Sequence, residues 1–194
     1  MSAQRLPGKP LLQVNGFPII SHVVKRAQET QIGDVIVATE DDEILKQVKK
    51  NNGNAILTSK KPNTGTDRIW EAFKKLNLKN IEYIINLQGD EPLINIEDVK
   101  KLHKITKKNK CDIGTLASKI DKKDFLTNKS IVKVQTDQRL EKENFPIAKN
   151  FLRYLSNEKE NIYHHIGIYI FKVSTLEIFT SLSQSDHEKK YKLE

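Results

Sequence analysis

Tyr83-Ile84-Ile85-Asn86-Leu87 runs directly into Gln88-Gly89-Asp90-Glu91-Pro92. The first five residues form a short apolar run bounded by a turn signal, which reads as a buried strand. The next five are polar and carry glycine and proline, which reads as a loop. In an open α/β sheet, ligands sit beyond the carboxyl ends of the strands, where this loop falls. Asp90 and Glu91 offer hard oxygen ligands suited to Mg²⁺, which takes one or two carboxylates plus substrate phosphates. Gly89 keeps the backbone open to close approach, and Gln88 can hydrogen-bond a polar substrate. An acidic turn after a strand is common in any α/β protein, and on these residues alone the two readings stand equal.

The chain around this stretch alternates the two hydrophobic periods. Upstream, Pro18 suits a helix first turn, and Ile19, Ile20, Val23, Val24 and Ala27 line one face of a helix that Gly33 stops. Residues 34–39 (DVIVAT) read as a strand buried on both sides. Asp41 or Asp42 caps a helix running to about Asn51. A strand follows at 54–58 and a helix at 69–76. Downstream, Asn95 caps a helix from 96 to about 107. Strands are expected at 112–118, 131–136 and 163–171, and a helix at 173–182. Regular β–α alternation predicts an α/β fold, a mostly parallel sheet with helices on both faces. Residues 137–161 are charged and poorly periodic, and read as a surface excursion.

The 194 residues suit a single domain, 1–194, large enough to bury a core without disulfides. Cys111 is the one cysteine, so no internal bridge forms, which fits a reducing compartment. No long apolar run is present, so neither a signal-peptide core nor a membrane span is expected, and the default location is the cytoplasm. The formal charge of +8 fits an anionic partner. The lysine pairs are spread among Asn, Asp and Glu, however, and a solvated surface explains the charge better. No glycine–aromatic nucleic-acid signature appears.

Three further segments carry possible chemistry. In Arg5-Leu6-Pro7-Gly8-Lys9-Pro10 two cations flank a glycine, so Arg5 and Lys9 can reach phosphates, although a basic Pro-rich tail has the same composition. Asn63-Thr64-Gly65-Thr66-Asp67-Arg68 leads into a helix and reads first as an N-cap, second as a loop that meets a nucleotide base. In Tyr163-His164-His165-Ile166-Gly167-Ile168-Tyr169 the two histidines of a strand face opposite sides and cannot share one metal.

Taken in order, these segments resemble the 3-deoxy-manno-octulosonate (Kdo) cytidylyltransferases. The matching pieces are RLPGKPL (5–11), NG-P (15–18), VIVATEDDEI (35–44), TGTDRIWEA (64–72), NLQGDEPLI (86–94), IVKV (131–134) and HIGIY (165–169). RLPGKPL with NLQGDEP marks the nucleotide-sugar cytidylyltransferases, and GTDR with HIGIY the Kdo branch. The resemblance implies a Rossmann-like nucleotide-diphospho-sugar transferase fold, a homodimer, and transfer of CMP from CTP to the acidic sugar with release of pyrophosphate, for lipopolysaccharide synthesis. Mg²⁺ is the implied cofactor, with no nucleic-acid or membrane partner. It further implies that Arg5 and Lys9 contact the triphosphate, that Thr64 and Gly65 meet the nucleotide, and that Asp90 binds Mg²⁺. Lys9 and Asp90 are then the catalytic pair. Gln88, Arg153, His165 and Glu194 fall on sugar-contacting positions.

The chain departs from the family's pattern in several places. The family opens with an apolar strand ending in Pro-Ala-Arg and continues past Glu194 to a second metal-binding aspartate, and both are missing here, so the ends read as cut. Tyr154-Leu155 stands where an Ile-Pro pair is usual, and Pro62 replaces a common histidine. Two other readings follow: a cytidylyltransferase for another acidic sugar such as a sialic acid, against which HIGIY argues, and a truncated chain that folds without catalysing.

Overall fold

The computed structural model describes residues 8–120, 126–141, 144–155 and 160–193. Arg5 and Glu194 lie outside the described residues. The first described element is a hairpin, β1 (Gln13–Val14) and β2 (Phe17–Pro18). Asn15 and Gly16 join them with φ of 50° and 81°. Two successive positive φ values make the tight turn whose twist matches paired strands, and Asn-Gly is the pair that adopts it at least cost.

α1 (Ile19–Glu29) follows at once, with buried Pro18 as its N-cap rather than inside its first turn. It stops at Thr30, and Gln31 takes a φ of 54°, so the expected stop at Gly33 lies beyond the real one. β3 (Ile36–Thr39) leads to α2 (Asp42–Lys50). Asp41 caps α2 by accepting hydrogen bonds from the Glu43 and Ile44 amides at 2.8 and 3.4 Å. Ile44 and Val48 face inward from α2 with Ile20 and Val24 of α1. β4 (Asn54–Leu57) then pairs with β3 in parallel. α3 (Gly65–Leu76), β5 (Tyr83–Asn86), α4 (Ile96–Asn109) and β6 (Ile113–Ser118) continue the alternation, α4 being capped by Asn95 as expected.

The remaining elements are β7 (Lys133–Thr136), β8 (Ala148–Leu152), β9 (Ile162–Lys172), α5 (Val173–Ser181) and α6 (Asp186–Tyr191). β8 lies in the stretch expected to be a surface excursion. Its first three residues are exposed, which hides the period-2 pattern.

The sheet departs from the mostly parallel arrangement expected. β3–β4 is a parallel pair, but in the five-stranded sheet every pairing is antiparallel. β9 is the reason. It pairs with β6 along one edge and with β5 and then β7 along the other. β5, β6 and β7 therefore run in one direction, as β–α alternation requires, and β9 inserts between β5 and β6 against them. The core around β9 contains Val23, Ile94, Val99, Leu102, Ile168 and Ile170. α4 and α5 both contact β9, while α2 and α3 both contact β3. Gly114 of β6 permits the approach of α4: a Cβ there would lie 2.5 Å from Thr106 Oγ1 and 2.9 Å from Ile170 Cγ2.

A cavity of about 1560 Å³ separates the two sheets. It is bounded by the whole of β3 and β5, by α1 residues such as Val23 and Val24, and by α3 residues such as Ile69 and Ala72. β3 is consequently half-buried through most of its length rather than covered on both sides. Among the described residues, β3 pairs with β4 alone and β5 with β9 alone, so each strand turns an unpaired edge to the cavity. No helix of the described residues is long and apolar enough to cross a membrane.

Candidate active site

Gly8 enters the site with a φ of 72°, a left-handed conformation that costs glycine little. A short 3-10 turn, Lys9–Leu11, follows and lifts Lys9 over the loop after β5. There the Lys9 ammonium donates to Asp90 Oδ2 at 2.8 Å. Two groups 81 residues apart thus meet, both partly open to solvent. Beside them, burial and the charge of Asp90 push the Glu91 carboxyl above its usual range. Asp90, with a lysine already in reach and a neighbouring carboxyl that resists ionising, suits a dication that arrives together with phosphates. Among the described residues no cluster of three or more His, Cys, Asp or Glu could hold a metal unaided. That donor set fits Mg²⁺, which keeps several waters and uses one or two protein carboxylates.

The loop into α3 is built from its caps. Thr64 Oγ1 accepts from the Asp67 amide at 3.1 Å, and Asp67 Oδ2 accepts from the Thr64 amide at 3.2 Å. This reciprocal box satisfies two free amides of the helix start. The Thr64 hydroxyl is therefore occupied by the cap, and Gly65 is the residue of this pair that borders the cavity. Arg68, one turn on, is 7 % exposed. Its guanidinium donates to Thr58 Oγ1 at 2.7 Å, to the Ser59 carbonyl at 3.2 Å and to Glu40 Oε2 at 2.8 Å. Arg68 thereby ties the ends of β3 and β4 to α3 and holds the Glu40 carboxyl below its usual range. A buried guanidinium in such a fork of acceptors is a fixed strut. Lys9, Gly65, Gln88 and Asp90 all line the large cavity, so the structure brings four of the expected residues to one opening.

His165 stands a short way off, on β9. It is 9 % exposed, and burial, with a smaller effect of neighbouring His164, lowers its imidazole to a pKa of about 4. Its ring meets Phe151 edge-on, with centroids 5.0 Å apart, and Tyr169 at 5.2 Å. Its Nε2 lies 2.9 Å from Thr115 Oγ1. Gln88 reaches toward this group, its Nε2 donating to the Gly167 carbonyl over a long 3.5 Å. His164 pairs with Lys133 of β7 and Ser118 of β6, a register that puts it on the opposite face from His165, as the strand period requires.

Arg153 does not present its guanidinium to this group. It donates to the Tyr191 and Lys192 carbonyls at 2.6 and 2.8 Å, filling the open carbonyls at the end of α6. Its own carbonyl accepts from Lys133 Nζ at 2.9 Å, and Lys133 is fully buried. The sequence reading missed Arg68, Phe151, Tyr169 and Thr115 as parts of the site. For Arg68 and Tyr169 the signal was present, since both stand inside the quoted GTDR and HIGIY pieces. Phe151 stands beside Arg153 in Asn150-Phe151-Leu152-Arg153, the segment on which the reading of Arg153 rested, and Thr115 carried no signal.

The family model for cytidylyltransferases matches residues 1–194. A Thermodesulfovibrio yellowstonii protein named 3-deoxy-manno-octulosonate cytidylyltransferase is 42% identical over 201 residues, covering 98% of this chain and 79% of its own length. A protein of the same name from Rhodopseudomonas palustris is 39% identical over 202 residues, covering 100% of this chain and 79% of its own. The solved structure of CMP:2-keto-3-deoxy-manno-octonic acid synthetase complexed with CTP superposes with a TM-score of 0.85 at 32% identity, covering 98% of this chain and 78% of that one. A cytidylyltransferase from Leptospira borgpetersenii, 21% identical with a TM-score of 0.59 over 97% of this chain and 63% of that one, shares the fold. With a family match across its whole length, this chain belongs to the cytidylyltransferase family.

Proposed function

We propose that the chain transfers CMP from CTP to Kdo and releases pyrophosphate. The observation that carries the reading is the meeting of Lys9 and Asp90 at 2.8 Å on the rim of a cavity that Gly65 and Gln88 also line. A cation for phosphates and a carboxylate for a metal then stand at one point, as phosphoryl chemistry requires. The anomeric oxygen of the sugar forms a bond to the α-phosphorus of CTP, the bond from that phosphorus to the β-phosphate bridge oxygen breaks, and the hydroxyl proton is released. Lys9 binds the triphosphate, joined by Arg5. Gly65 lets the nucleotide approach the start of α3, whose amide dipoles favour an anion. Asp90 holds Mg²⁺, which when bound offsets the phosphate charge. Gln88 and His165 contact the sugar. Arg153 acts there through its hold on α6, and Glu194 is assigned a sugar contact by the resemblance alone. Nothing in this scheme needs a protein nucleophile, because positioning and electrostatics supply the rate.

The finer architecture belongs to the same reading: a Rossmann-like nucleotide-diphospho-sugar transferase fold, working as a cytoplasmic homodimer in lipopolysaccharide synthesis. The test is pyrophosphate release from CTP with Kdo, with N-acetylneuraminate, and with no sugar, each with Mg²⁺ or with EDTA. Release that requires both Kdo and Mg²⁺ supports the proposal. Release with N-acetylneuraminate but not Kdo overturns it.

A further inference from the structure

β6 and β9 meet across a break in register. Thr115 pairs with Tyr169 but Leu116 pairs with Ile166, so Gly167 and Ile168 have no partner on β6. A bulge of this kind re-aims the side chains beside it. The Thr115 hydroxyl fills the break. Its Oγ1 lies 2.8 Å from the Ile168 carbonyl, 3.4 Å from the Ile166 carbonyl and 2.9 Å from His165 Nε2.

A hydroxyl has one proton to give and two lone pairs to receive with. Both carbonyl oxygens can only accept. The proton therefore goes to the nearer, Ile168, because pointing it elsewhere would set two oxygen lone pairs against each other at 2.8 Å. Oγ1 then faces His165 as an acceptor, and Nε2 must carry the imidazole N–H. Nδ1 is left with its lone pair, and among the described residues it has no hydrogen-bond partner. The low basicity of the ring keeps it neutral near pH 7.

We propose that Thr115 is a positioning residue whose hydroxyl fixes His165 as the Nε2–H tautomer and leaves Nδ1 as an acceptor for a sugar hydroxyl. The second half rests on the reading of His165 as a sugar contact. It also narrows that contact. A neutral ring offering a lone pair receives a hydroxyl and repels a carboxylate, so the acid group of the sugar is held elsewhere.

The test has two readouts. Long-range ¹H–¹⁵N correlation of the histidine-labelled chain reads the tautomer directly. His165 is expected as Nε2–H in the wild type and in Thr115→Ser, and as a mixture in Thr115→Val, which keeps the shape but not the acceptor. In pyrophosphate release, Thr115→Val is expected to raise the KM for Kdo roughly 3- to 10-fold, the loss of one hydrogen bond's orientation, with the KM for CTP unchanged and Thr115→Ser near wild type. A wild-type His165 protonated on Nδ1, or an unaltered Nε2–H tautomer in Thr115→Val, overturns the role of Thr115. The expected tautomers with an unchanged Kdo KM would instead remove His165 from the sugar site while the hydroxyl's hold on the ring stands.

Discussion

Acidification should weaken this fold through His165. The ordinary imidazole value is 6.5, and in the folded chain burial lowers it to about 4. The unfolded chain therefore binds a proton between those values while the folded chain does not. Linkage fixes the sign: the folded state is at full advantage above about pH 6.5 and loses it as pH falls toward 4. Each pH unit in that window is worth up to ~1.4 kcal/mol, so the whole interval amounts to ~3 kcal/mol. Against a usual stability of ~5–15 kcal/mol this is a large part. The ring is 9 % exposed, so solvent screening takes little from it. The measurement is urea unfolding at pH 7.5 and pH 4.5 for the wild type and for His165→Gln. Other groups, His164 among them, titrate in both proteins and cancel in the difference. The variant should lose ~2–3 kcal/mol less than the wild type on acidification. Equal losses would show that the imidazole is protonated in the folded chain at no cost, and the burial argument would fail.

Two other outcomes are expected. Asp90→Asn should lower pyrophosphate release by roughly 10–100-fold and leave the urea midpoint almost unmoved. Its pair with Lys9 is partly open to water and contributes at most ~1 kcal/mol. Gly114→Ala should destabilise by ~1–3 kcal/mol through overpacking, and a second change, Thr106→Ala, should recover part of that loss by removing the nearest atom. Strict additivity of the two in urea unfolding would mean that α4 simply moves away.

Elements decided by neighbouring residues were legible in the sequence. Asn95 caps its helix as expected, and Asp41 is the one of the two candidate aspartates that caps α2, because an Asx side chain and the two amides it serves lie within three residues. Asn15-Gly16 carried an equally local hairpin signal that went unread. The placement of β9 between β5 and β6 was not legible, since strand direction follows from alternation but strand neighbours follow from contacts across the whole chain. The site divides along the same line. Lys9 and Asp90 meet although 81 residues part them, a contact that no local pattern in the sequence foretells. The hold of Arg153 on α6 was not legible because the carbonyls it serves lie 38 and 39 residues further on. Thr115 sits in an ordinary strand run, and its significance depends on a bulge in a strand some fifty residues away.

β9 also sets the order in which the molecule can be assembled. It touches β5, β6 and β7, and all three are synthesised before it. On the ribosome those strands emerge without the partner that joins them, and at ~5–20 residues per second the wait from β5 to β9 is on the order of ten seconds. β3, β4 and the first two helices pair among themselves and can close early. Folding of the rest is a late event of high contact order, triggered when the final third of the chain leaves the exit tunnel. Until then β5 and β6 lack the strand that joins them, and their apolar residues stay open to non-native contacts.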